Sequence, residues 1–345
     1  MPAEWEPHAA TWLAWPHNRT DWPGKFTPIP WVYAEIIRNL AQHETVHLIV
    51  KDAAEEKLTR RVLRKAEALR ESVVFHRWAT NRVWTRDYGP IFVKNASGTA
   101  VVDFAFNAWA KYSDWKLDNR VPKRAAKLLG LPCLAARIGN VDFVLEGGSI
   151  DVNGRGTLLT TEECLLSDVQ QRNPSADRGQ IEQALCEHLG LTKIIWLERG
   201  IVGDDTHGHI DDIARFVAPD VVLAAVEPNQ QDLNHEPLAH NLKLLRQARS
   251  ESGRQLAVAE LPMPRPVVFS GQRLPASYAN FYIANKIVLA PVFNDPSDRE
   301  ALNVLAHAFP DRQIVPIYCG DLVWGLGTIH CMTQQQPAPD DKKPG

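Results

Sequence analysis

Apolar positions along the chain follow two rhythms, and their alternation predicts the architecture. Short β-branched runs stop at turn residues and restart at once, which marks a hairpin. One such pair runs from Ile91-Phe-Val through Asn95-Ala-Ser-Gly98 into Ala100-Val-Val. Others turn at Asn153-Gly-Arg-Gly156, at Pro219-Asp220 and at Ala284-Asn-Lys286. Between hairpins the apolar residues fall three and four apart, the period of an amphipathic helix. This spacing predicts helices over 31–41, 121–129, 177–189, 236–250 and 297–309, with Ser175 or Asp177 capping the third. Strands over 46–50, 194–197, 256–259 and 314–317 follow four of them.

A polar motif stands directly before each hairpin. The motifs begin near residues 84, 146, 209 and 277, with a fifth at 330. Such regular spacing marks an internal repeat. The fold class is therefore α/β, a pseudo-fivefold five-bladed α/β-propeller built from ββαβ-type repeats. Like units bury their faces against one another, and five of them imply a closed ring. Equivalent ends of a ring converge on its axis, so the five polar motifs are expected to meet in one site. On pattern alone the alternative is a doubly wound α/β sheet. One catalytic domain is expected over 1–336, followed by a disordered tail over 337–345, rich in proline and charge.

Composition narrows the partners. The chain is 45% hydrophobic and 23% charged, ordinary for a soluble globular protein. A formal net charge of -3 leaves no basic footprint for nucleic acid or an acidic membrane surface. No apolar run reaches membrane-spanning length. The five cysteines, Cys133, Cys164, Cys186, Cys319 and Cys331, are scattered without a C-x-x-C pair. Reduced thiols in a cytoplasmic protein are expected, and the first residues lack the features of a signal peptide. A homo-oligomer is left open.

The candidate chemistry comes from pooling the motifs. Cys331 lies in Trp324-Gly-Leu-Gly-Thr-Ile-His-Cys, a glycine-rich approach flanked by His330 and Thr333. A lone cysteine is usually a small buried hydrophobe. The second cluster, Gly208-His209-Ile-Asp211-Asp212, supplies a base and carboxylates that change that reading. With Trp84, Asp87, Glu146 and Asn280, the converging set holds a thiol, an imidazole, an aromatic wall and several carboxylates. Clustered carboxylates repel unless a cation neutralises them. A planar guanidinium meets two carboxylates by bidentate hydrogen bonds and presents its carbon to the thiol. Cys331 would attack that carbon, His209 would protonate the departing ammonia and then activate water, and Asp87 and Asp211 would hold the nitrogens. A rival uses His207, His209 and Asp211 as ligands of a hydrolytic metal. A non-catalytic binding propeller is a third class.

At these residues the chain resembles the agmatine deiminases of the porphyromonad-type peptidylarginine deiminase family, in the guanidine-modifying pentein superfamily. The motifs include Met1-Pro-Ala-Glu-Trp-Glu-Pro-His, Arg86-Asp-Tyr-Gly-Pro, Phe106-Asn-Ala-Trp, Leu145-Glu-Gly-Gly-Ser-Ile, Arg172-Asn-Pro, Gly208-His-Ile-Asp and Ile329-His-Cys-Met-Thr-Gln-Gln. The resemblance implies the five-bladed propeller, no metal or organic cofactor, and hydrolysis of agmatine to N-carbamoylputrescine and ammonia. It assigns the nucleophile to Cys331, the acid/base to His209 and guanidinium binding to Asp87 and Asp211. Trp84, Glu146, Asp205 and Asn280 match pocket positions. Three motifs depart from the usual pattern: Trp84-Thr-Arg-Asp-Tyr-Gly-Pro, Thr206-His-Gly-His and Gly325-Leu-Gly-Thr-Ile-His-Cys. They alter the pocket rim, which leaves peptidyl arginine or another alkylguanidine as alternatives. Agmatine's amine would want a carboxylate, from Asp205 or Glu146. Free arginine would want a basic clamp, and the one arginine or lysine in the five converging motifs, Arg86, is expected to point away from Asp87 along an extended segment.

Overall fold

A computed structural model describes residues 1–339. Among them the larger sheets number five, and each repeats one topology. A short strand runs antiparallel to a buried central strand, and a helix then crosses to a third strand lying parallel to the central one. The first complete unit is Ile91–Asn95, Gly98–Asp103, helix Val121–Leu129 and Cys133–Ala135. The second is Asp151–Val152, Thr157–Thr161, helix Arg178–Leu189 and Lys193–Leu197. The third is Ala214–Ala218, Val221–Val226, helix His235–Gln247 and Ala257–Pro262. The fourth is Tyr282–Ile283, Ile287–Val292, helix Asp298–Ala308 and Gln313–Tyr318. The fifth joins distant parts of the chain: Gln334–Pro337 pairs antiparallel with His8–Ala14, which pairs through helix Ile29–Leu40 with Thr45–Val50, and Val73–Arg77 adds a fourth strand.

Local chemistry sets these elements. Leu158 and Leu159 on one central strand, and Val288, Leu289 and Ala290 on another, are buried on both faces. This accounts for continuous rather than alternating apolar runs. Asp177 and Gln180 form a reciprocal capping box on helix Arg178–Leu189, and Gly190 ends it in the left-handed conformation. Helix Ile29–Leu40 begins two residues before its pattern, because Pro30 fits a first turn whose N–H groups lack helical partners. The helix expected to reach residue 250 stops at Gln247, where Ala248 turns extended and Arg249 bridges to Gln255.

Two expectations are corrected. The segment around Arg86 is not extended: Thr85–Tyr88 is a single helical turn. Disorder does not begin at 337, since Pro337 pairs with His8 and the Ala338 N–H donates to the Pro7 carbonyl. The rest of that tail, 340–345, lies outside the described residues.

Four apolar clusters carry the packing, and the largest runs through parts of the first, fourth and fifth units. The five polar motifs bury polar side chains beside these clusters: Asp87, Glu146, His209, Asp211, Asn280 and His330. No helix among the described residues is long and apolar enough to cross a membrane.

Candidate active site

Hydrogen bonds tie the five polar motifs together. Thr85 donates its hydroxyl to the Met332 carbonyl at 2.6 Å, and the Arg86 N–H donates to the Cys331 carbonyl at 3.1 Å. The turn carrying Asp87 is thereby latched to the turn carrying the thiol. The Gly148 N–H and the Trp109 indole N–H donate to Asp87 Oδ1 and Oδ2 at 3.1 and 2.9 Å. Asn280 Nδ2 lies 3.2 Å from Cys331 Sγ and 3.0 Å from Asp212 Oδ1, while its Oδ1 accepts from Thr328 and the His330 N–H. Asp204 accepts from the Gly208 and His209 N–H groups and so fixes the loop that presents the imidazole.

A cavity of about 240 Å³ opens onto the thiol. Cys331, Asp87, Trp84 and Trp109 line its depth, each 5–7% exposed. Thr20, Asp21, Arg82, Tyr112, Asp205, Thr206 and the turn 325–327 complete its walls. That turn depends on glycine for close approach. A Cβ on Gly325 would stand 2.5 Å from the Trp22 indole, and one on Gly327 would stand 2.9 Å from Trp84 and 3.0 Å from Cys331 Cβ. The left-handed backbone between them falls on Leu326, whose φ is 68°.

The eight expected site residues sort by depth. Cys331, Asp87, Trp84 and Asp205 reach the cavity. His209 sits just behind, with Nδ1 3.8 Å from Asp87 Oδ1 and Nε2 3.6 Å from Glu146 Oε2. Both distances are too long for hydrogen bonds, so neither ring nitrogen has a close partner among the described residues. Asp211 Oδ1 is likewise buried and unpartnered, while Oδ2 accepts from His330 Nδ1 at 2.7 Å. His330 Nε2 meets Glu4 Oε2 at 2.8 Å, and Glu4 also binds Arg86 and Arg215.

Glu146 is not a rim carboxylate. It is buried beneath His209 in an ion pair with Arg172, whose Nε lies 3.2 Å from Oε1. Asn280 does not line the cavity; it touches the thiol. The metal set His207, His209 and Asp211 is not assembled, because His207 turns away to Ser167 and Glu163. Among the described residues the one metal-compatible grouping is Glu146, Cys164 and His209, and the Arg172 guanidinium already neutralises its carboxylate. Arg86 does point away from the cavity, through its helical turn, but a basic side chain borders the pocket after all: Arg82, held by Asp21 and Asp114. Arg82, Asp21 and Tyr112 lie outside every motif, so no local pattern marked them; Trp109 closes the Phe106-Asn-Ala-Trp motif but was given no role in the site.

Burial and neighbouring charge set the protonation states. Burial, then Asp211, Asp212 and Asp87, push the Cys331 thiol well above its ordinary value. Burial would discharge His209, but the Asp87 carboxylate, then Cys164 and Glu146, outweigh it and hold the imidazole protonated well above its usual range. Burial raises Asp87 to about 6 against the pull of His209. For Asp211 the cost of burial is overcome by the hydrogen bond from His330, and the carboxyl is lowered. These directions favour a neutral thiol beside an imidazolium, with an excess of carboxylates around them.

A family model described as Porphyromonas-type peptidyl-arginine deiminase matches residues 1–337. The agmatine deiminase of Ectopseudomonas mendocina (strain ymp) is 37% identical over 363 residues, covering 98% of this chain and 95% of the relative. That of Stutzerimonas stutzeri (strain A1501) is 39% identical with the same coverage. The solved agmatine deiminase of Enterococcus faecalis superposes with a TM-score of 0.90 at 32% identity, over 98% of this chain and 95% of that one. With similarity running from the first motif to the closing strand, the chain belongs to the Porphyromonas-type peptidyl-arginine deiminase family.

Proposed function

We propose that the chain hydrolyses agmatine to N-carbamoylputrescine and ammonia through a covalent adduct on Cys331, a step toward putrescine. Its family makes it a hydrolase of linear C–N bonds. The observation that carries the finer reading is an unpartnered buried acceptor beside the thiol, Asp211 Oδ1. Buried polar groups are nearly always satisfied, and a guanidinium brings five N–H donors and a positive charge to a carboxylate-rich floor. In this reading residues 1–336 form one catalytic unit, with the five sheets as blades of a propeller around the site.

The chemistry follows from the protonation states. A bound guanidinium lowers the Cys331 thiol by its charge, the thiol proton passes to solvent, and the thiolate attacks the guanidinium carbon. Asp87 and Asp211 hold the nitrogens, which fixes the carbon over sulfur. His209, already protonated, gives its proton to one nitrogen, and ammonia leaves behind a thiouronium. The neutral imidazole then takes a proton from water as the oxygen adds to the same carbon. Collapse expels the sulfur, which recovers its proton, and releases the ureido product. Asn280, in contact with the sulfur, keeps it aimed. No step calls on a metal or an organic cofactor.

Ammonia release should be measured with agmatine, free arginine, blocked peptidyl arginine and simple alkylguanidines. Cys331→Ser should lose nearly all turnover while still binding agmatine, and acid-quenched wild-type enzyme should carry the adduct mass on the Cys331 peptide. Full activity in the serine variant refutes the covalent route.

A further inference from the structure

The deimination chemistry uses one end of the substrate, and the cavity holds an acidic group that this chemistry does not employ. Asp21 closes the short turn Arg19–Asp21, which Asn18 caps by accepting from the Thr20 N–H. Its side chain is 1% exposed and lines the cavity. Oδ1 accepts from Arg82 Nη1 at 2.5 Å, but Oδ2 has no partner among the described residues.

Its place relative to the thiol is set by aromatic packing. The neighbouring Trp22 packs on Trp84 with ring centroids 5.5 Å apart, and Trp84 backs the Gly327–Cys331 turn. Asp21 and Cys331 thus line one cavity beside the Trp22–Trp84 pair, against which a methylene chain can lie.

The other carboxylates offered for this role are occupied. Asp205 gives one oxygen to Lys111 Nζ at 2.6 Å and the other to the Tyr112 hydroxyl at 2.7 Å. Glu146 is buried against Arg172. Charge points the same way. Asp205 and Lys111 cancel, whereas Asp21, Asp114 and Arg82 leave one uncompensated negative charge. Arg82 is no ready clamp for a substrate carboxylate, since Asp21 and Asp114 hold its two terminal nitrogens and it stacks on Tyr112.

We propose that Asp21, through its free Oδ2, receives the ammonium end of the substrate and makes the site select a guanidine bearing a second positive charge at the far end of its chain. This rests on the Cys331-centred deimination argued above.

The test compares agmatine with butylguanidine, which keeps the chain and the guanidinium and lacks the amine, in wild type, Asp21→Asn and Asp205→Asn. A charge-assisted hydrogen bond predicts a wild-type preference for agmatine in kcat/KM of about tenfold to a hundredfold. Asp21→Asn should remove most of that ratio, chiefly by raising KM for agmatine, and Asp205→Asn should remove less. The wild-type comparison stands even if a variant folds poorly, and a preference below about threefold overturns the assignment. So does an equal loss on both substrates in Asp21→Asn, or a collapse of the ratio in Asp205→Asn alone. If wild type hydrolyses butylguanidine without favouring agmatine, only Asp21's role falls. If it hydrolyses neither, the deimination reading falls with it.

Discussion

Gly148→Ala tests the active-site geometry with a single methyl group. The Gly148 N–H donates to Asp87, and the missing Cβ points into the gap between the His209 and Asp87 side chains. A methyl there would stand 2.5 Å from His209 Nδ1 and 2.8 Å from Asp87 Oδ1. Gly148 does not have a positive φ, so the cost of alanine is steric rather than conformational. The ring cannot retreat freely, because Glu146 and Cys164 stand close to it and His209 is 1% exposed. To regain ordinary contact, the imidazole has to move by roughly an ångström, and a displacement of that size at a reacting group costs about a hundredfold in rate. Overpacking should cost about 1–3 kcal/mol of stability, which a domain of this size tolerates. The assay is steady-state ammonia release from agmatine, with circular dichroism and a melting curve as controls. Expected are a kcat about a hundredfold lower and a raised KM, since Asp87 is displaced with the ring. A folded Gly148→Ala protein with kcat within about threefold of wild type would refute the placement of His209 as acid and base.

The other predictions concern protonation and burial. Asp87, raised to about 6, must be ionised to bind a cation, so kcat/KM should fall as pH drops through about 6. The bound guanidinium should shift that limb lower in kcat, and the limb should survive Asp21→Asn; a flat kcat/KM profile from about pH 5 to 7 would sink the assignment. Because its folded value is raised, Asp87's contribution to stability is full below about pH 4 and lost as pH rises through about 6. Arg172→Ala strands Glu146 as a buried charge and should cost about 3–5 kcal/mol in chemical denaturation; a loss below about 1 kcal/mol would mean that Glu146 is not paired as described.

How much of this was legible depended on the range of the interaction. Hairpins declared themselves because Asn95 to Gly98 or Pro219-Asp220 interrupt apolar runs within a few residues. The Asp177 cap on helix Arg178–Leu189 was readable for the same reason. The turn Thr85–Tyr88 was not, since four residues show no helical period and its hold comes from Met332 and Cys331. The thiol, imidazole and paired carboxylates were visible as residue types preceding hairpins. Their depth was not, because Glu146 and Asp205 look alike until Arg172 and Lys111 claim them from other parts of the chain. Asp21 gave no signal at all. It lies in an ordinary loop, and its neighbourhood is made by Arg82 and Trp84, more than sixty residues away.

The pairing of Gln334–Pro337 with His8–Ala14 sets an order of events during translation. Most of that sheet is synthesised by residue 77, yet the outer side of His8–Ala14 stays unpaired until residue 337 is made. At ordinary ribosomal speeds the open edge waits on the order of tens of seconds, exposed to mispairing. Cys331 arrives just ahead of the strand that covers it, and the contact of His330 with Glu4 spans 326 residues of sequence. A nascent chain therefore carries its buried carboxylates long before it carries the Cys331 thiol. Sealing the edge and gaining the thiol are a single late event, so a partly made chain lacks the thiol for as long as its edge stays open.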